Sequence, residues 1–387
     1  MRLFEEKPES PSRWEEETLF TEGDPFFTDI LKAIQVAKQT IKIETYIFEL
    51  DSLGKKILEA LSEAADRGVS VKLLLDGAGC SEWNADDAFQ FRKRNLELRF
   101  FHPLVWQRKN SRLWTYVNIA KVIRGFSLMN HRNHRKVFLF DDRTAYVGSM
   151  NVTAKHLHSI HGDHAWKDCS VRVSGPEVKI LHESFDEAWN YYQNYTLRYF
   201  RKNQPTLESP LLKMNRTIRQ RRHYYHQILQ RIYTAHEEVL ITTPYFIPTW
   251  RLRRILKAVV ANNAKVAAIF PHDSDFIGVK LAMECFYSGL LRAGIEIHEY
   301  LPAMLHAKIL ITDGHAVLGS SNLNSRSLKL DLEVDVEITN PENIARLKKQ
   351  FSEDLMKTKK ISLKEWKNRP VTRKALENVF ILFRWML

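Results

Sequence analysis

Apolar residues fall at helical spacing over residues 29–39, where Ile30, Leu31, Ile34 and Ala37 share one face. They do so again over residues 53–67, at Ile57, Leu58, Leu61 and Ala64, and Gly68 ends that run. Residues 41–48 are a strand candidate, and 69–75 read as a buried strand. A helix and a strand follow over 85–101. This alternation predicts an α/β fold, with a mainly parallel or mixed sheet and helices on its faces. The order then recurs at 239–246, 251–262, 265–270, 278–293 and 295–300. The pattern therefore predicts two similar halves. Expected borders are an acidic N-terminal segment, 1–25, a first half, 26–197, and a basic linker, 198–222. A second half, 223–345, and a basic and apolar helical tail, 346–387, complete the chain.

Each half carries one copy of a longer signature. The first is His134-Arg135-Lys136, four apolar residues, Asp141, then Gly148-Ser149-Met150-Asn151. The second is His306-Ala307-Lys308, four residues, Asp313, then Gly319-Ser320-Ser321-Asn322. Residues 137–140 and 309–312 read as strands, so His and Lys two apart point the same way. Each copy offers an imidazole beside an ammonium. Histidine serves as nucleophile, acid or base near neutral pH, and lysine suits a phosphate oxygen. The Asn adds an amide donor after a Gly that permits close backbone approach. Two facing copies would surround one anion, a set that fits phosphoryl transfer. A lone His-x-Lys is most simply a satisfied polar pair at a strand end; the duplication argues against that.

Composition narrows the substrate. The chain has 387 residues and a net charge of +12, which favours a polyanionic partner without choosing among lipid, nucleic acid and acidic protein. Cys80, Cys169 and Cys285 are scattered, show no zinc spacing and indicate no disulfide framework. A reducing compartment is the default. No signal-peptide core is evident, and no stretch approaches the ~20 apolar residues of a membrane span.

The two copies resemble the paired HKD motifs of the phospholipase D superfamily. Glu44-Thr45-Tyr46, Thr243-Pro244-Tyr245-Phe246 and Asn322-Leu323-Asn324-Ser325-Arg326-Ser327 are most similar to segments of bacterial cardiolipin synthases, of the short type without N-terminal membrane spans. Gly148-Ser149 departs from the Gly-Gly of many such synthases. The resemblance implies two phospholipase D-like halves related by a pseudo-two-fold axis, with one shared active site. It implies a covalent phosphohistidine and neither metal nor organic cofactor. His134 would be the nucleophile and His306 the acid. Lys136, Lys308, Asn151 and Asn322 would hold the phosphate, with Asp141 and Asp313 as braces. An acidic residue downstream of the opposite motif would orient each His: Glu333 for His134, Asp168 for His306. Asp331 and Asp335 are near rivals of Glu333.

Three segments bear on the anion. Residues 99–140 hold nine Lys or Arg and no Asp or Glu, interleaved with Trp106, Trp114 and many aliphatics. Aromatic plus basic residues over 103–130 fit an interfacial element, the alternative being a helical hairpin packed on its own domain with its charges solvated. A nucleic-acid groove would not need so many aliphatic residues. The basic linker 198–222 offers a second polyanion contact or a solvated face. The tail 369–387 ends Phe383-Arg384-Trp385-Met386-Leu387; it either docks on the body or lies in the membrane interface. The resulting expectation is a peripheral enzyme on the cytoplasmic face of the cell membrane. It would move a phosphatidyl group between anionic phospholipids, giving cardiolipin and glycerol from phosphatidylglycerol. A lipid hydrolase or a nuclease is the alternative. A non-catalytic membrane scaffold is disfavoured because both motifs are intact.

Overall fold

The computed structural model describes residues 13–91, 95–107, 131–191, 209–324, 326–327 and 330–382. The first half builds a seven-stranded sheet in the order β1-β7-β6-β5-β2-β3-β4. Its strands are β1 (Glu16–Phe20), β2 (Thr40–Thr45), β3 (Ser70–Asp76), β4 (Leu96–Phe101), β5 (Val137–Phe140), β6 (Thr144–Gly148) and β7 (Ser170–Ser174). The second half repeats the plan in the order β15-β11-β10-β9-β12-β13-β14-β8. Here β8 is Leu212–Met214, β9 Glu238–Thr242, β10 Lys265–Pro271, β11 Glu296–Tyr300, β12 Ile309–Thr312, β13 His315–Gly319, β14 Val334–Ile338 and β15 Thr358–Lys360.

Both sheets are mixed, and antiparallel pairs outnumber parallel ones. Among the strands of the described residues, only β2-β3-β4 and β9-β10-β11 are parallel. The helices Ser52–Asp66, Trp250–Ala261 and Ile277–Arg292 serve as crossovers between them. Each motif strand instead turns straight back, β5 on β6 and β12 on β13, which forces antiparallel pairing. The turns carry Asp141 and Asp313 at φ 48° and 49°.

The expected borders shift. Residues 16–25 belong to the first half: β1 pairs with β7, and the helix Gly23–Val36 starts before residue 29 because Phe26 and Phe27 bury an extra turn. Residues 212–214 and 358–360 join the second sheet at its two edges.

Side-chain alternation assigns each sheet two cores. Ile41, Ile43, Phe138 and Phe140 pack with the helices Gly23–Val36 and Ser52–Asp66. Val239, Ile241 and Leu310 pack likewise against the second half's helices. The other faces, Val137, Leu139, Val147 and Val171 from one half and Ile311, Leu318, Val334 and Val336 from the other, fill one common core. Burial of that common apolar surface holds the two sheets in one arrangement. The N-terminal strand adds a clasp: Trp14 Nε1 donates to the Glu337 carbonyl at 3.0 Å, and Glu17 accepts from Thr339 N–H at 2.8 Å.

Candidate active site

Each motif starts where its strand enters the sheet, beside the C-terminal ends of β2 and β9: Val137 is opposite Glu44, and Ile309 opposite Thr242. There the two halves touch through matching backbone contacts. Asn133 bridges to Leu332, and Leu305 to Lys167. His134 N–H donates to the Leu332 carbonyl at 3.0 Å, and His306 N–H to the Lys167 carbonyl at 2.8 Å. The residue after Leu332 is Glu333 and the residue after Lys167 is Asp168. The same two-residue bridge therefore delivers a carboxyl to the opposite histidine, twice.

The side chains follow. His134 Nδ1 lies 3.1 Å from Glu333 Oε2 and 3.1 Å from the Ser320 carbonyl. His306 Nδ1 lies 2.8 Å from Asp168 Oδ2. Neither rival hydrogen-bonds the ring, although the Asp331 charge is near enough to work against the lowering of His134. Asp331 holds Arg326 Nε at 2.9 Å and the Arg132 N–H at 3.2 Å; Asp335 meets Tyr224 and the Ser321 N–H. With Nδ1 as the donor, each ring presents Nε2 as its reactive atom. Lys136 Nζ donates to the His134 carbonyl at 2.7 Å; Lys308 Nζ donates to the His306 carbonyl at 2.6 Å and stands 3.1 Å from His306 Nε2. Tyr46 packs edge-on against His134 at 4.9 Å, and Trp166 lies 5.5 Å from His306.

The two histidines, the two lysines and the two carboxyls are all buried, and burial sets their ionisation. It pulls both histidines down, Lys136 and Lys308 adding to the effect on each. Each motif's lysine is felt by the other motif's histidine, as one site requires. Burial and the neighbouring Lys308 bring Lys136 down to about 7, and burial brings Lys308 to about 8. The carboxyls part company. Burial raises Glu333 to about 7. Burial also pushes Asp168 up, but His306, His156 and Lys308 together hold it well below the usual carboxylate range.

Not every expected residue is here. Asp141 and Asp313 sit at the far ends of β5 and β12, five residues or roughly 17 Å from the lysines. Asp141 accepts the backbone N–H groups of Gln39 at 2.8 Å and Thr40 at 3.0 Å, and Asp313 those of His236, Glu237 and Glu238, each at 3.0 Å. They brace the neighbouring strand and touch nothing in the site. Asn151 Oδ1 accepts from Ile47 N–H at 3.2 Å, and its buried Nδ2 has no protein partner among the described residues. Asn322 is buried beside the second motif. Gly148 and Gly319 permit the close approach of the next strand, since a Cβ would strike Ser170 and Asp335. Sequence reading gave no role to Ser149, whose hydroxyl donates to Asp168, or to Tyr46, Trp166 and His156. The repeat itself held the signal for Ser149, because Ser320 takes the equivalent place beside Glu333.

The family described as "Cardiolipin synthase, PLD-like domain" matches residues 30–189 and 228–355, one stretch per half. The chain belongs to this family. It is 29% identical over 370 residues to a probable cardiolipin synthase of Bacillus subtilis, covering 94% of this chain and 71% of that protein. It is 31% identical to cardiolipin synthase B of Salmonella typhi, covering 83% and 75%. The phosphatidylserine synthase of Haemophilus influenzae shares the fold, with a TM-score of 0.69 at 16% identity over 97% of this chain and 96% of that one. A polyphosphate kinase from Porphyromonas gingivalis shares it at 0.61 and 10% identity, over 97% and 54%. Family membership makes the paired motifs a phospholipase D-type arrangement, with one motif from each half.

Proposed function

We propose that the protein is a phosphatidyltransferase that converts two molecules of phosphatidylglycerol into cardiolipin and glycerol through a phosphohistidine. The observation that carries this reading is the pair of crossed histidine–carboxyl contacts in one buried site of a cardiolipin synthase-family chain. His134 Nε2 attacks the donor phosphorus while Glu333 and the Ser320 carbonyl hold Nδ1–H. His306 Nε2 gives its proton to the departing glycerol oxygen, and ionised Asp168 stabilises the imidazolium. Lys136, Lys308 and the Asn151 amide steady the charge on the phosphoryl oxygens. Binding an anionic phosphodiester draws the Lys308 ammonium onto its oxygens and frees His306 Nε2. His306 then takes the proton of the acceptor alcohol, which attacks phosphatidyl-His134 and restores the enzyme.

The partner is a membrane surface, met peripherally and from the cytoplasmic face. Several large apolar side chains stand exposed on the turns and helix starts that follow the parallel strands: Trp106, Trp250, Phe276, Ile277 and Leu301. They follow the C-terminal ends of β4, β9, β10 and β11, the sheet edge at which both motifs start, which suits a substrate drawn from a bilayer. Residues 103–107 belong to this edge; the rest of the expected interfacial element, 108–130, lies outside the described residues, as do 383–387. The tail helix Val371–Leu382 docks on the helix Ile277–Arg292: Arg373 Nη2 meets Glu284 at 2.7 Å, and Phe380 packs over Gly278. Its outer face keeps Leu376 and Val379 exposed. No helix among the described residues is long and apolar enough to cross a membrane.

Purified protein with phosphatidylglycerol vesicles tests the reading. Cardiolipin and free glycerol are expected, and none from His134→Ala. Phosphatidic acid in place of cardiolipin makes the enzyme a hydrolase. Cleavage of single-stranded DNA with no lipid turnover makes it a nuclease.

A further inference from the structure

Five residues past each motif asparagine, the halves diverge. After Asn322 comes Ser327, whose Oγ accepts the Asn322 N–H at 3.2 Å and whose hydroxyl also bonds Glu333. After Asn151 comes His156, fully buried. Its Nε2 accepts the Asn151 N–H at 3.2 Å. That role leaves the ring proton on Nδ1. Nδ1 stands 3.7 Å from Asp168 Oδ2, the same oxygen that His306 Nδ1 meets at 2.8 Å. It has no hydrogen-bond partner among the described residues. At 3.7 Å the contact is charge–dipole rather than a hydrogen bond. Trp166 wedges the ring in place, edge-on at 5.6 Å, and itself lies against His306.

We infer that His156 is a positioning residue for the proton-donating side of the site. Its Nδ1–H faces Asp168 Oδ2 and, together with Ser149, fixes the carboxylate that aims His306. Its Nε2 fixes the backbone of Asn151. The second half has a hydroxyl at this place, so the imidazole serves only the histidine that must carry a proton. The inference rests on the reading of His306 as general acid. In that step the bond from His134 Nε2 to phosphorus forms and the bond from phosphorus to the leaving oxygen breaks. The proton on His306 Nε2 passes to that oxygen. An alkyl alcohol needs this proton to leave; a nitrophenolate does not.

Two substitutions separate the ring's two contacts. His156→Gln keeps an acceptor for the Asn151 N–H and removes the donor facing Asp168; His156→Asn does the reverse. The full chain is assayed on phosphatidylglycerol vesicles and on bis(p-nitrophenyl) phosphate. We expect His156→Gln to lose about tenfold in kcat on the lipid and to stay within about twofold on the aryl ester, with His156→Asn retaining most lipid turnover. Equal losses on both substrates, or none on either, overturn the inference. A series of aryl phosphodiesters of falling leaving-group acidity removes the lipid from the question. The wild type and His156→Gln must diverge along it even if phosphatidylglycerol is no substrate, and parallel lines overturn the inference. Nitrogen-15 NMR of the histidine-labelled wild type needs no substitution: an Nδ1–H tautomer at His156 is expected, and Nε2–H overturns the inference.

Discussion

The histidine–carboxyl pairs of the two halves are built from the same backbone bridge yet sit in different electrostatic settings. Around His306 the carboxyl is an aspartate held ionised, 2.8 Å away, with His156 and Ser149 behind it. Around His134 the carboxyl is a glutamate that burial has raised to about 7, and the Ser320 carbonyl is a second acceptor for the same ring nitrogen. A firmly negative neighbour works against the burial that lowers His306 and stabilises an imidazolium once a proton arrives, which suits an acid. A weakly ionised neighbour and a neutral carbonyl favour a neutral imidazole, which suits a nucleophile. Duplication supplied two equal rings; their surroundings divide the labour.

The strongest way to break this comparison is to remove each ring. On phosphatidylglycerol, His134→Ala and His306→Ala should each lose about 10⁴-fold or more in kcat. On bis(p-nitrophenyl) phosphate the losses should split: His134→Ala stays inactive, while His306→Ala falls only about tenfold because its leaving group needs no proton. Equal losses on the aryl ester would deny the division of roles.

Exchanging the carboxyls comes next. Asp168→Asn should cost about 10³-fold in lipid turnover, as when a triad aspartate becomes an amide and the wrong tautomer is held. Glu333→Gln should cost about tenfold, since a Gln oxygen and the Ser320 carbonyl still accept from His134. The reverse order in steady-state kinetics contradicts the comparison.

The same two changes should move stability in opposite directions. Glu333 has a raised folded-state pKa. Its contribution to stability is therefore complete below the ordinary carboxyl value of 4.5 and is lost as pH rises through about 7. Glu333→Gln removes that loss and should stabilise the fold at pH 8 by on the order of 3 kcal/mol, with the gain gone near pH 4. Asp168 is depressed, so its contribution is present above the ordinary carboxyl value and is lost only as pH falls through its lowered one. Asp168→Asn should destabilise at pH 8 and less in acid. Urea unfolding at both pH values reads this, and a shared sign for the two variants would sink it.

The smallest effects belong to the residues outside the site. Asp141→Ala and Asp313→Ala should each cost about 1 kcal/mol of stability by removing carboxylate hydrogen bonds to backbone N–H groups that water then takes over. Turnover per folded molecule should stay unchanged. A loss of kcat without a loss of stability would return these aspartates to the chemistry.

Much of this was legible in the chain, for a physical reason. Strand alternation ties His134 to Lys136 and His306 to Lys308 over two residues, so a short spacing reports a shared face. Asp168 and Glu333 could be picked out by resemblance, but only the bridges at Lys167 and Leu332 explain why Glu333, and not Asp331 or Asp335, meets a ring. Asp141 and Asp313 share the motif's spacing but lie at the other end of a strand, a distance that sequence does not convey. The antiparallel part of the first sheet was hidden because the turn after β5 uses Asp141 at positive φ instead of a glycine signal, whereas the turn after β12 does carry an Asp-Gly hairpin signal, Asp313-Gly314. His156 was invisible because it has no mate: its counterpart is Ser327, and repeat reading finds what the halves share.

The most direct test is to quench the enzyme during turnover of phosphatidylglycerol carrying a labelled phosphate and to map the modified residue by peptide mass spectrometry. Phosphatidyl label on His134, present in the His306→Ala variant and absent from His134→Ala, is the predicted result. Label on His306, or cardiolipin formed with no labelled histidine at any quench time, would contradict the account.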